Sequence, residues 1–159
     1  MSEPLNIVLI APEIPQNTGN IGRLCVSTAT RLHLIHPLGF SLEESQLRRA
    51  GLDYWPHLDL RVHDDWDAFL RACNPPRMIF ASTKGSKSVF DVSYEDGDFL
   101  VFGNEGGGLP DELYVRYADS LRKIPMPGQH ARSLNLANSV AIVLYEALRQ
   151  VKGWGEKPV

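Results

Sequence analysis

Residues Asn6 to Ala11 read Asn-Ile-Val-Leu-Ile-Ala and stop at Pro12. A strand with one wet face alternates polar and apolar residues, whereas an unbroken apolar run suits a strand covered on both faces. The run therefore predicts a central strand. Five further strand-like runs follow, at Leu32 to His36, Leu58 to Val62, Met78 to Ala81, Asp98 to Phe102 and Leu121 to Ile124. Helix-like segments of about ten residues separate most of them. Strands alternating with helices predict an α/β fold on a parallel sheet, with ligands bound outside the carboxyl ends of the strands.

The helix boundaries follow from capping residues. After Pro12 a turn-rich segment passes into a helix through about Thr30, with Asn17 or Thr18 as its cap. Ser41 followed by Glu44 is a capping box for a short helix ending at Gly51, with Arg48 and Arg49 in its last turn. Asp64 or Asp65 caps a helix through Cys73 that turns Trp66, Phe69 and Leu70 inward and ends at Asn74-Pro-Pro. Asp111 to Tyr117 forms a short helix. The last helix begins after a loop from Pro125 to Arg132, with Ser133 or Asn135 as its cap. Along it Leu136, Ala137, Val140, Val143, Leu144, Ala147, Leu148 and Val151 draw an apolar stripe that needs a partner surface.

At 159 residues without biased segments, the chain is the size of one compact domain, 1–159, with no internal linker. A formal charge of −3 argues against coating nucleic acid through bulk charge, so RNA binding has to rest on a local basic patch. Cys25 and Cys73 lie far apart in sequence with no Cys-x-x-Cys or Cys/His grouping, which reads as buried free thiols in a reducing compartment. No basic leader precedes an apolar core, and no apolar run approaches the roughly 20 residues of a membrane span. A cytoplasmic protein without membrane contact is expected.

Three polar loops collect on the predicted ligand-binding edge. One precedes and opens the first helix, one is Ser82 to Lys87, and one is Gly103-Asn-Glu-Gly-Gly-Gly-Leu-Pro110. The glycine loop lacks the following Lys-Ser or Lys-Thr of a nucleotide phosphate cradle, and Pro110 prevents it from opening a helix as a dinucleotide fingerprint does. Its glycines allow close approach, and a ligand is expected against it. A Gly-x-Ser-x-Gly nucleophile elbow is absent, and the five histidines show no metal-ligand spacing, so no metal is expected. His130 lies in the loop before the last helix.

Three stretches carry a resemblance: Asn17-Thr-Gly-Asn-Ile-Gly-Arg23, Phe102-Gly-Asn-Glu-Gly-Gly-Gly-Leu-Pro110, and Ile124-Pro-Met-Pro continuing into Ser133-Leu-Asn-Leu-Ala-Asn-Ser-Val-Ala-Ile-Val-Leu-Tyr-Glu146. Together and in this order they resemble the motifs of the SPOUT RNA 2′-O-methyltransferases. The short chain and the Arg-Arg-Ala-Gly-Leu-Asp-Tyr run at residues 48 to 54 resemble the minimal, TrmL-type members. The resemblance implies a deep trefoil knot at the C-terminal end and S-adenosylmethionine as methyl donor, with S-adenosylhomocysteine as product and no metal. It implies transfer to the ribose 2′-hydroxyl of the wobble nucleotide, cytidine or modified uridine 34, of leucine tRNAs. It also implies a homodimer whose two subunits contact the anticodon arm. An enzyme of this fold acting on ribosomal RNA, or a catalytically silent module that binds donor or RNA, are the alternatives.

By position, the resemblance puts Ala81, Thr83, Gly103, Glu105, Gly108, Ile124, Met126, Ser133 and Leu134 around the donor. It puts Arg23, Glu105, Asn135 and Asn17 in the catalytic machinery. An arginine stays protonated in proteins, so Arg23 is expected to orient the nucleotide phosphate and stabilise the 2′-oxyanion rather than act as a base. Glu105 would order the glycine loop or hold Arg23. Ala137, Ala141 and Ala147 are small enough for close packing between subunits, Tyr145 could stack at that interface, and Arg48, Arg49 and Arg132 could join Arg23 in framing RNA.

Overall fold

In the computed structural model, residues 2–43 and 53–155 are described. The short helix expected from Ser41 to Gly51, with Arg48 and Arg49, lies outside the described residues for most of its length. Among the described residues seven strands form one sheet: β1 Asn6–Ile10, β2 Arg31–Ile35, β3 Leu60–His63, β4 Met78–Ala81, β5 Lys87–Ser88, β6 Phe99–Phe102 and β7 Leu121–Lys123. Their order is β3-β2-β1-β6-β4-β7-β5, and every pairing is parallel. β1 is central and buried at all five positions, as its unbroken apolar run requires. β5 escapes sequence reasoning because two residues, one of them lysine, carry no apolar period.

Helices cover both faces: α1 Pro15–Ser27, α2 Trp66–Cys73, α3 Asp111–Arg116 and α4 Leu136–Lys152. Side chains alternate across a strand, so Ile7 and Leu9 join Leu34 and Leu100 in a cluster with Ile21 of α1 and Val140 and Leu144 of α4. Val8 and Ile10 point the other way, joining Val101, Phe80 and Phe99 against Trp66 and Phe69 of α2 and Leu113 of α3. Burying each such Leu, Ile or Phe contributes about 1.5–3 kcal/mol, which sets the helix faces. Gln150 fixes the far end of α4, accepting from the Tyr94 N–H at 2.8 Å and donating to the Val92 carbonyl at 3.0 Å.

Caps explain where two helices begin. The Asp65 carboxylate accepts from the Ala68 N–H at 2.7 Å to start α2, and Asn74 ends it in the left-handed conformation at φ +41°. At α4 the cap is Asn135, whose side-chain oxygen accepts from the Ala137 and Asn138 N–H groups. α1 departs from the expectation. It begins at Pro15, which suits the first helical position because proline lacks the N–H that would go unpaired there. Neither Asn17 nor Thr18 caps it; both lie inside the helix and are buried.

Two other expectations are corrected. Ala147 is wholly buried in the core under α4, so it is not free for packing between subunits. Cys25 is buried, and burial pushes its thiol up to about 12. Cys73, however, does stand in a Cys/His grouping, with His33 and His63, although 40 and 10 residues separate it from them. The pairing of β2 with β3 and the packing of α2 on that face bring together what linear spacing keeps apart.

Candidate functional site

β1, β4 and β6 end on one edge of the sheet, and the loops after β4, β6 and β7 enclose a cavity of about 510 Å³ there. That size falls within the range of small-molecule sites. The strand-end loop after β4 contributes Ala81, Thr83 and Lys84; the glycine loop contributes Gly103, Glu105 and Gly108. From the loop between β7 and α4 come Ile124, Met126, Ser133 and Leu134. Asn17 of α1 and Asn135, the α4 cap, complete the polar wall. Parallel pairing makes this convergence unavoidable, since every strand delivers its following loop to the same edge.

Glu105 binds the edge together. Its Oε1 accepts from the Glu13 N–H at 2.8 Å, and its Oε2 accepts from the Ile14 N–H at 2.9 Å and from Asn17 Nδ2 at 3.2 Å. A carboxylate only accepts, so Asn17 must present its NH₂ to Glu105 and its carbonyl oxygen to the other side. There it accepts from Asn135 Nδ2 at 3.1 Å. One chain of hydrogen bonds thus runs from the glycine loop through the start of α1 to the start of α4. Asn104 adds a second clasp, donating to Glu13 Oε1 at 3.1 Å.

The glycine loop is a small closed hairpin. Asn104 and Gly108 exchange backbone hydrogen bonds of 3.0 and 3.1 Å, and the Asn104 side chain accepts from the Gly107 N–H at 2.6 Å. A Cβ on Gly103 would lie 2.1 Å from the carbonyl carbon of Gly108, and Gly108 itself has φ +70°. These glycines permit a close approach within their own loop, and the same loop lines the cavity. Tyr114 buttresses the loop by accepting from the Leu109 N–H at 3.0 Å, and Lys84 sits 4.0 Å over its ring.

Arg23 stands apart from this cavity. Because α1 starts at Pro15, Arg23 falls in its third turn, about 12 Å along the axis at 1.5 Å per residue. It is exposed, and its guanidinium lies 4.7 Å from the centroid of the Tyr54 ring. Both Glu105 oxygens are turned to the start of α1, so Glu105 orders the loop and does not hold Arg23. Tyr54 ends the Arg-Arg-Ala-Gly-Leu-Asp-Tyr run that carries part of the resemblance, but sequence assigns it no role, since a tyrosine in an irregular stretch carries no periodic signal. His130 and Arg132 are exposed in the loop before α4.

Comparison with known proteins gives the chain its relatives. Residues 4–145 match the SpoU rRNA methylase family. A protein of Burkholderia ambifaria named tRNA (cytidine(34)-2'-O)-methyltransferase is 51% identical over 149 residues, 91% of this chain and 94% of its own. A solved structure concerned with 2-OH methylation of C/U34 on tRNA superposes with a TM-score of 0.90 at 48% identity, covering 96% of this chain and 99% of that one. An rRNA methyltransferase of Sinorhizobium meliloti bound to AdoMet superposes at 0.82 with 26% identity, over 94% of this chain and 57% of its own. A family match across most of the chain, on a parallel α/β sheet whose loops meet at one cavity, makes this chain a member of the SpoU rRNA methylase family.

Proposed function

We propose that the chain transfers a methyl group from S-adenosylmethionine to the ribose 2′-hydroxyl of the wobble nucleotide, cytidine or uridine 34, of tRNA, with leucine tRNAs as its substrates. The observation that carries the reading is the Glu105–Asn17–Asn135 chain, which ties three separate sequence motifs to one cavity. Relatives about half identical over most of their length are named for that reaction. The donor fits the cavity by chemistry. Phe102, Leu109, Ile124 and Leu136 offer apolar surface for a base, and Thr83, Ser133, Asn135 and Ser139 offer hydrogen-bonding groups for ribose and amino acid.

When bound, S-adenosylmethionine supplies an electrophilic sulfonium methyl for an oxygen nucleophile and leaves as S-adenosylhomocysteine. The chain's own part is positioning. Glu105, Asn17 and Asn135 hold the glycine loop and two helix starts at fixed separation, which keeps the reactants' binding surfaces aligned. Arg23, exposed and always cationic, meets the RNA phosphate and the developing 2′-oxyanion, and Tyr54 restrains it.

The site works within a cytoplasmic homodimer whose C-terminal segment is threaded as a trefoil knot. Exposed apolar side chains support the dimer: Tyr145 and Trp154, whose rings are 6.1 Å apart on and after α4, and Ile14 and Leu134 beside the cavity. No helix among the described residues is long and apolar enough to cross a membrane.

The test is transfer of labelled methyl to total tRNA from a strain lacking this activity, followed by nucleoside mass spectrometry. A 2′-O-methylated pyrimidine at position 34 is the expected product. Label in ribosomal RNA alone would overturn the substrate assignment. Donor binding without any transfer would mark a silent module.

A further inference from the structure

On the sheet face covered by α2, three ligand-type side chains that do not line the donor cavity meet. His33 stands in the middle of β2, His63 ends β3, and Cys73 closes the last turn of α2. His33 Nδ1 is 3.1 Å from His63 Nε2, and Cys73 Sγ is 3.8 and 4.0 Å from those two nitrogens. The three donor atoms lie within 4.8 Å of one another. A tetrahedral zinc ion, with bonds of about 2.0–2.1 Å to nitrogen and about 2.3 Å to sulfur, needs nitrogens about 3.3 Å apart and sulfur about 3.6 Å from each. The observed separations differ from these by less than about half an ångström.

The surroundings prepare His33 to be a ligand. Asn6 spends its amide N–H groups on the carbonyls of Pro4 at 3.3 Å and Gly97 at 3.2 Å. Its side-chain oxygen is therefore the end that faces His33 Nε2, at 3.0 Å. An oxygen of this kind only accepts, so the His33 proton sits on Nε2 and a bare lone pair points from Nδ1 into the cluster. An outer partner that fixes the tautomer in this way is the usual support of a metal-bound histidine. Phe69 and Phe99 pack around the ring, with centroids 5.6 and 5.4 Å away, and hold its plane.

Charge is accommodated as well. Arg31 and Arg61 lie near the histidines, and both are engaged by Asp59 at 2.9 Å. A thiolate at Cys73 would add a further negative charge. His63 and Cys73 are half-buried while His33 is buried, so the cluster keeps one side open to water.

We infer that His33, His63 and Cys73 bind one divalent cation of the zinc class, with water as the fourth ligand. Two imidazoles and one thiolate are a borderline-soft set, suited to zinc or cobalt and unsuited to magnesium or calcium. The ion joins α2 to the sheet-edge strand β3 and its neighbour β2. None of its three ligands lines the donor cavity, so it is distinct from the methyl-transfer machinery.

Zinc titrated calorimetrically into the chelator-treated full chain is expected to bind one ion per chain, and His63→Ala or Cys73→Ser to weaken it at least about tenfold. Cobalt in its place gives a thiolate-to-metal charge-transfer band that disappears in Cys73→Ser. Both altered side chains are half-buried, and thermal melting of the metal-free variants checks that they fold. Zinc binding of unchanged affinity in the His63→Ala/Cys73→Ser double variant would overturn the site, as would cobalt binding without a charge-transfer band in the parent.

Discussion

Asn17 gives a side-chain N–H to the Glu105 carboxylate over 3.2 Å, joining residues 88 apart in the chain. Glu105 also takes the Glu13 and Ile14 N–H groups, so three donors depend on one charged acceptor. Glu105→Gln keeps the size and turns an NH₂ toward at least one of those donors. Hydrogen bonds to charged groups contribute about 1.5–3 kcal/mol each. Methyl transfer should fall about 10- to 100-fold in kcat/KM, with the fold retained by thermal melting. A rate within twofold of the parent would show that the loop is held by other contacts.

Arg23 and Tyr54 should separate catalysis from donor binding. Arg23→Ala is expected to lower transfer at least about 100-fold while donor affinity, measured calorimetrically, stays within about threefold. Arg23→Lys retains a charge but loses the planar group that lies over the Tyr54 ring, and should recover only part of the rate. An exposed cation–π contact is worth about 0.5–1 kcal/mol, so Tyr54→Leu should cost about two- to fivefold and Tyr54→Phe almost nothing. Full transfer by Arg23→Ala would remove Arg23 from the mechanism.

Much of this architecture is legible in the sequence because it is local. The apolar run of β1, the Asp65 and Asn135 caps and the β4 run Met78 to Ala81 each follow from a few adjacent residues. What escapes is what the tertiary fold decides. Asn17 has the chemistry of a cap, yet α1 starts two residues before it, at Pro15, and Glu105, far along the chain, takes its side-chain N–H and leaves its oxygen to bridge to Asn135. The role of Gly103 depends on Gly108 folding back onto it, which composition cannot reveal. His33, His63 and Cys73 are unremarkable in sequence until strand register and helix packing bring them together.

Gly103→Ala tests how closely the loop is built. The added methyl would lie 2.1 Å from one backbone atom of Gly108 and 2.4 Å from another, so backbone has to move. Overpacking of this kind costs about 1–3 kcal/mol, and because the loop lines the cavity, donor affinity should drop about tenfold or more. Gly106→Ala is the control: its nearest neighbour is a Glu13 carboxylate oxygen at 3.4 Å, at the end of a flexible side chain. It should bind donor as the parent does. Equal affinity in both variants would mean that the loop rearranges without consequence.

Acid stability should report His33 in chelator-treated protein. Burial, followed by the nearby His63, Arg31 and Arg61, lowers its pKa to about 3 against the opposing effect of Asp59. Burial lowers that of His63 too, with Arg61 adding to it. In the unfolded chain each returns to 6.5. Between the two values the unfolded chain holds a proton that the folded one refuses. Stability is therefore fully present above 6.5 and is lost as pH falls through that value, at up to about 1.4 kcal/mol per pH unit for each histidine, until the folded form protonates. Carboxylates ordinarily titrate near 4, but burial raises that of Asp98, so it is the difference between the parent and a His33 variant over the window from 6.5 to 5 that isolates His33. Urea midpoints across that window should fall with acid in the parent and fall less in His33→Gln, whatever its baseline stability. Equal slopes in the two proteins would show that His33 is not the group whose protonation opposes folding.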